Sequence, residues 1–178
     1  MKIILIGIQG AGKSTQGNLL AEVLHIPYLS TGHIFREMTK EKTPLGRYMK
    51  ETLNAGYLVP DNKTVKIVEE YLKKPEYQAG YIMDGFPRTV IQAKKFQNGI
   101  NHVVYLQVSD KEALWRLAYR DPEGREDETL PAILKRIELF HKFTEPVIGF
   151  YKEKGLLREI DGEKSIEDIH KEIMSYIK

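Results

Sequence analysis

The chain contains no cysteine. Disulfides and cysteine-based zinc sites are therefore excluded, which fits a reducing compartment such as the cytoplasm. Long hydrophobic runs are also missing. The apolar stretch near the N-terminus, KIILIGI, gives way to Gln-Gly, too soon for the core of a secretion signal. No segment approaches the roughly 18 apolar residues of a membrane span. Charge of one sign is scarce: 27 Lys and Arg stand against 25 Asp and Glu, for a net charge of +2. Such a balance gives no argument for a nucleic-acid partner, and the basic residues are interspersed with acids rather than gathered into one basic tract. Internal repeats, low-complexity tracts and flexible linkers are absent as well. The expectation is a cytoplasmic protein with no membrane and no nucleic-acid partner.

What is present is enough for one domain. At 178 residues the chain can bury about two-thirds of the surface its unfolded form exposes. KIILIGI, Gly80–Asp84 and His102–Val108 are continuous apolar runs rich in β-branched residues, as strands covered on both faces require. PYLS and GLLREI are weaker strand candidates. Helical spacing predicts helices over Lys13–Leu24, Leu45–Ala55, Asp61–Lys73, Val90–Gln97, Asp110–Arg120, Pro131–Lys154 and Ile166–Ile177. Strand and helix alternate, so the expected class is α/β, a three-layer sandwich with a central parallel sheet of about five strands flanked by helices. Two segments break the alternation. Residues 31–60 read as a helical excursion, and RDPEGREDETL, residues 120–130, as an exposed polar loop.

GIQGAGKST, Gly7 to Thr15, matches G-x-x-x-x-G-K-[ST] between an apolar strand and a helix. Glycines let successive backbone N–H groups curl inward on phosphate oxygens, and the helix N-terminus adds partial positive charge. Lys13 then reaches the terminal phosphates and Ser14 holds Mg²⁺. Asp84 ends an apolar strand, where it either holds water on that Mg²⁺ or caps a turn. Arg36, Arg88, Arg116, Arg120, Arg125 and Arg136 are spread over the chain. Arg116 and Arg120 share a helix face. A guanidinium binds two phosphate oxygens at once, although any one arginine taken singly reads as a solvated surface group. Trp115 reads as packing.

These pieces and their order carry a resemblance. GIQGAGKST, STGHIFR, GYLVPD, DGFPRTVIQA, GREDE with KRI, and TEPVIGFY together resemble adenylate kinases and the wider nucleoside monophosphate kinases over nearly the whole chain. The resemblance implies a core (1–29, 60–119 and 132–178), a monophosphate-binding lobe (30–59) and a short lid (120–131) that has no cysteines for zinc. It implies Mg²⁺-dependent, reversible phosphoryl transfer from ATP to AMP, giving two ADP, by a monomer. Gly10, Ala11, Gly12, Lys13, Ser14 and Thr15 are then expected to hold the donor phosphates. Arg116 stacks on the donor adenine, Arg120 touches its phosphates, and Lys164 offers a carbonyl to the base. Thr31, Arg36, Tyr57, Leu58, Val59, Gly85, Phe86, Pro87, Arg88 and Gln92 hold AMP. Arg125 and Arg136 close over both phosphate groups, so that Lys13, Arg88, Arg120, Arg125 and Arg136 form the catalytic set. Asp127 matches a lid acid, and Ser30 or Thr31 caps the helix that follows.

His33 departs from the family pattern, which has Asp at this place. It either contacts a phosphate or a metal-bound water, or is a tolerated substitution that leaves the metal to Asp84. Other readings share the scaffold: a UMP/CMP kinase, a GTP:AMP phosphotransferase, or a P-loop switch that binds a nucleotide and signals by shape. The switch needs no second phosphate-binding set. Thr31 before Gly32 and an amide at Gln92 favour AMP over pyrimidine monophosphates. Measured with ATP and each of AMP, UMP, CMP and GMP, ADP formation is expected to be fastest with AMP; equal rates with UMP or CMP would reassign the acceptor.

Overall fold

The computed structural model describes residues 1–96, 98–119 and 127–178. Five strands form one sheet among these residues: β1 (Lys2–Ile6), β2 (Tyr28–Ser30), β3 (Tyr81–Asp84), β4 (His102–Gln107) and β5 (Leu157–Asp161). All pairings are parallel, in the order β2-β3-β1-β4-β5. Residues 3–6 of β1 are all buried, as expected of a central strand covered on both faces. The expected α/β class and five-stranded parallel sheet are thus observed, with strand ends within two residues of those read from the sequence.

The register brings the functional ends together. Leu5 pairs with Asp84, and Asp84 pairs with Ser30. The C-terminal ends of β1, β2 and β3 therefore lie in one line. The chain leaves β1 for one side of the sheet and later returns to β4 on the other, so β1 borders the point where strand order reverses. Open α/β sheets bind ligands at such a point.

The helices are α1 (Lys13–Leu24), α2 (Thr31–Thr39), α3 (Pro44–Asn54), α4 (Asp61–Leu72), α5 (Val90–Lys95), α6 (Asp110–Ala118), α7 (Leu130–Leu139), α8 (Glu145–Glu153) and α9 (Ile166–Ile177). None of the described helices is long and apolar enough to cross a membrane. Side-chain caps fix several starts. Ser30, Thr43, Thr89, Ser109, Thr129 and Ser165 each accept from a backbone N–H in the first turn. Ser30, rather than Thr31, caps α2. Thr31 is fully buried, and its hydroxyl donates instead to the Asp84 carbonyl at 3.2 Å.

One predicted helix is corrected. Helical structure runs unbroken over Leu130–Glu153 but is not α-helical throughout: α7 and α8 are joined by a π-helical stretch, Phe140–Thr144. Pro146 stands in the first turn of α8. It has no N–H for the carbonyl four residues back and its ring crowds that carbonyl, so the turn before it opens. Thr144 uses the opening to donate to the Arg88 carbonyl at 3.0 Å. The predicted ends of the helices near 97 and 120 fall on residues outside the described set.

His141, on the π-helical stretch, sits between two carboxylates. Nδ1 is 2.6 Å from Glu145 and Nε2 is 2.9 Å from Asp110. The hydrogen bond to Glu145, aided by that to Asp110, raises the imidazole pKa. Folded-state protonation is favoured, so the contribution to stability is present in full below the ordinary histidine value and is lost as pH rises through the raised one. Thermal unfolding of wild type and His141→Gln should differ most below about pH 6.5 and converge at alkaline pH; a gap that stays constant with pH would refute this.

Candidate active site

β1 runs into the loop Gly7–Gly12, which wraps the N-terminus of α1. Gly10 and Gly12 have φ of 91° and 86°, a region that side chains disfavour. At Gly10 space is restricted too, since a Cβ would lie 2.7 Å from the Ala113 carbonyl oxygen. Lys13 Nζ lies over the loop, donating to the Ile8 carbonyl at 2.9 Å, and stands 3.9 Å from Asp84 Oδ1. Ala11, Ser14 and Thr15 complete the wall on this side.

The loop opens into a cleft of about 640 Å³, within the range of ligand sites. Across from it, Gly85 turns the chain out of β3 with φ of 83°. A Cβ there would stand 2.5 Å from Thr31 Oγ1 and 3.2 Å from an Arg88 nitrogen. Only a glycine lets those two groups approach. Phe86 and Pro87, joined by a cis peptide bond, follow along the floor. Arg88 Nε donates to the Gly85 carbonyl at 2.8 Å. Burial, reinforced by the Arg136 cation, lowers the Arg88 pKa, and Asp84 only partly offsets this.

Arg136 enters from α7. It donates to the Leu53 carbonyl at 2.9 Å and pairs with Asp127, while Nη1 is 3.5 Å from Gln9 of the P-loop. Arg36 comes from α2, and Tyr57, Leu58 and Val59 from the stretch after α3. Tyr57 is exposed, with Lys135 Nζ 5.2 Å from its ring centroid. Gln92 is buried; its Oε1 accepts from the Arg88 N–H at 2.7 Å and its Nε2 donates to Asp61 at 2.9 Å. Each of these groups retains capacity for one more hydrogen bond.

At the far end α6 presents Arg116, bound to Glu112 at 2.7 Å, and Lys164 lies on the facing loop. Trp115 corrects an expectation. It is 58% exposed and lines this end of the cleft, its ring centroid 5.1 Å from that of the exposed Tyr119, so it does not pack into the core. Its place one residue before Arg116 was the only signal available in the sequence. Gln9 and Tyr28 also escaped the sequence reading, because each acts through a neighbour distant in the chain. His33 is exposed and is not part of the cleft wall. Thr31 lies behind the wall rather than in it. Arg120 and Arg125 fall outside the described residues.

Among the described residues no group of three or more His, Asp or Glu side chains is arranged to hold a metal. An ion held largely by substrate phosphates and water needs fewer protein ligands. Asp84 Oδ1 is buried with no hydrogen-bond partner, and the Ser14 hydroxyl is on the same wall. Both are hard oxygen donors, the chemistry that Mg²⁺ prefers.

A phosphate-binding loop and a separate group of arginines thus face one another across a single cleft. Comparison with known proteins agrees with this arrangement. The family model described as adenylate kinase matches residues 5–156. Adenylate kinase 1 from a Nostoc species is 40% identical, covering 97% of this chain and 96% of its own. Adenylate kinases from Bacillus velezensis, at 35% identity with 97% and 96% covered, and from a Cyanothece species, at 38% with 99% and 94% covered, are similar over the same extent. With its fold, its P-loop and its full-length similarity all in agreement, this chain belongs to the adenylate kinase family.

Proposed function

We propose that this protein transfers the γ-phosphoryl group of ATP to AMP, reversibly and with Mg²⁺, in the cytoplasm and as a monomer. The observation that carries the reading is the placement of Arg36, Arg88 and Arg136 opposite the P-loop in one cleft. A partly buried guanidinium that feels the repulsion of other guanidiniums, as Arg88 feels that of Arg136 and Arg36, is stabilised by an anion. A second phosphate group supplies that anion, whereas a nucleotide switch needs only the first.

In the reaction an oxygen of the AMP phosphate attacks the γ-phosphorus. The bond from that phosphorus to the bridging oxygen breaks, and ADP leaves with the electron pair. The acceptor is already an anion, so no side chain has to remove a proton. Catalysis is therefore positioning and charge neutralisation. The N–H groups of Gly10 to Thr15 and the Lys13 ammonium hold the donor phosphates. Arg116 stacks on the donor base, beside the Lys164 carbonyl. Arg36 and Arg88 hold the AMP phosphate. The Tyr57–Val59 backbone and Gln92 hold its base, with Gly85, Phe86 and Pro87 beneath and Thr31 supporting them. Arg120 touches the donor phosphates, and Arg136, with Arg125 of the proposed lid, closes over both phosphate groups. Ser14 and, through water, Asp84 would hold Mg²⁺, which would supply charge neutralisation on the donor phosphates. Segment 30–59 is the monophosphate lobe in this reading, and segment 120–131 the lid.

Purified protein should convert ATP and AMP to ADP; binding of ATP without ADP formation would favour the switch. Lys13→Met should lower kcat/KM by roughly 10²–10³-fold with thermal unfolding little changed, and activity that survived it would contradict the P-loop assignment. Arg88→Ala should cost about 10³-fold in kcat, by analogy with arginine fingers. An effect confined to KM for AMP would make Arg88 a binding group only.

A further inference from the structure

Tyr28 is the first residue of β2, and its register partner is Ile82, two residues before Asp84. Side chains two apart on a strand project to the same face. Tyr28, Ser30, Ile82 and Asp84 therefore share a face, the one on which α1 packs. The Tyr28 hydroxyl donates to Asp84 Oδ2 at 2.8 Å. The ring reaches that position by lying against α1 where the helix carries Gly17: a Cβ at Gly17 would stand 2.3 Å from the ring. The slot and the hydrogen bond thus come as a pair. Together they engage one carboxylate oxygen and leave the other, Oδ1, buried without a hydrogen-bond partner and 3.9 Å from Lys13 Nζ.

We infer that Tyr28, seated in the slot that Gly17 leaves, is a positioning residue that orients the Asp84 carboxylate toward the metal-bearing side of the donor phosphates. The inference rests on the proposed kinase reading and deepens it. An ionised carboxylate with one oxygen engaged by a donor cannot rotate freely about its last bond. Removing the phenolic hydroxyl frees that rotation, and the nearest cation is Lys13. A closer Lys13–Asp84 pair would draw the ammonium from the phosphates and the carboxylate from the hydrated metal. Groups that orient metal-facing ligands typically matter by about 10–100-fold in metal affinity. Asp84 acts here through water, so the lower end applies.

The test compares ATP binding by calorimetry, in EDTA and in excess Mg²⁺, for wild type, Tyr28→Phe, Gly17→Ala and the double variant. Tyr28→Phe keeps the ring and loses only the hydroxyl; Gly17→Ala keeps the hydroxyl and blocks the ring. The expected result is a fall of about tenfold in the ratio of Mg-ATP to metal-free ATP affinity in Tyr28→Phe. Gly17→Ala should shift the ratio in the same direction, and the double variant no further than the larger single effect. A wild-type ratio in Tyr28→Phe would overturn the inference. So would an equal loss with and without Mg²⁺, which would make Tyr28 a general support of the site. ADP formation from ATP and AMP by wild type is measured alongside. If wild type forms ADP while the ratio is unmoved, only the inference falls; if it forms none, the kinase reading falls and the inference with it.

Discussion

The site depends first on the hydrogen-bonded register of three parallel strands. Because Leu5 faces Asp84 and Asp84 faces Ser30, the P-loop, the turn at Gly85 and the start of α2 emerge side by side. Parallel pairing permits this, since every strand in the sheet ends at the same edge. A register slip of one residue would turn Asp84 to the other face and separate it from both Lys13 and Tyr28. The apolar residues of β1 and β3 are buried almost completely on both faces, so it is the polar residues at the strand ends, such as Asp84 and Ser30, that a slip would displace.

On this frame the protein concentrates positive charge that would be unfavourable without a ligand. Arg88 is partly buried, and desolvation together with the Arg136 cation lowers its pKa, which expresses that cost. The arrangement is held by neutral acceptors as well as by acids. Carbonyls of Gly85 and Leu53 receive guanidinium protons, so orientation is set without cancelling the charge. Arg136 illustrates the economy of this design: one guanidinium touches the last turn of α3, the P-loop through Gln9, and Asp127. The open turn Phe140–Thr144 belongs to the same scheme, since it lets Thr144 hold the backbone of Arg88 from below.

Much of this was legible in the chain because the chemistry is local. The P-loop reads from nine consecutive residues, Gly7 to Thr15, since strand, turn and helix start are contiguous there. The buried strands declare themselves by unbroken apolar runs. Less legible were features created by distant partners. The run from 131 to 154 has helical spacing throughout, and only the joint demands of Pro146 and Arg88 open it. Trp115 has the composition of a core residue, and its exposure follows from which face of α6 meets the sheet.

Spacing and motif by themselves determined the buried strands and the phosphate loop, and the resemblance carried by six ordered segments pointed to the family. The strands and the loop rest on side chains within one turn or one strand of each other, where covalent geometry leaves little choice. Tertiary structure alone decided that Ser30 rather than Thr31 caps α2, that His33 stands outside the cleft, and that Arg36, Arg88 and Arg136 share one volume. It also decided that Tyr28 reaches Asp84 across 56 residues of sequence. Those outcomes depend on strand register and on space left by Gly17 and Gly85, quantities that exist only once separate segments are packed together.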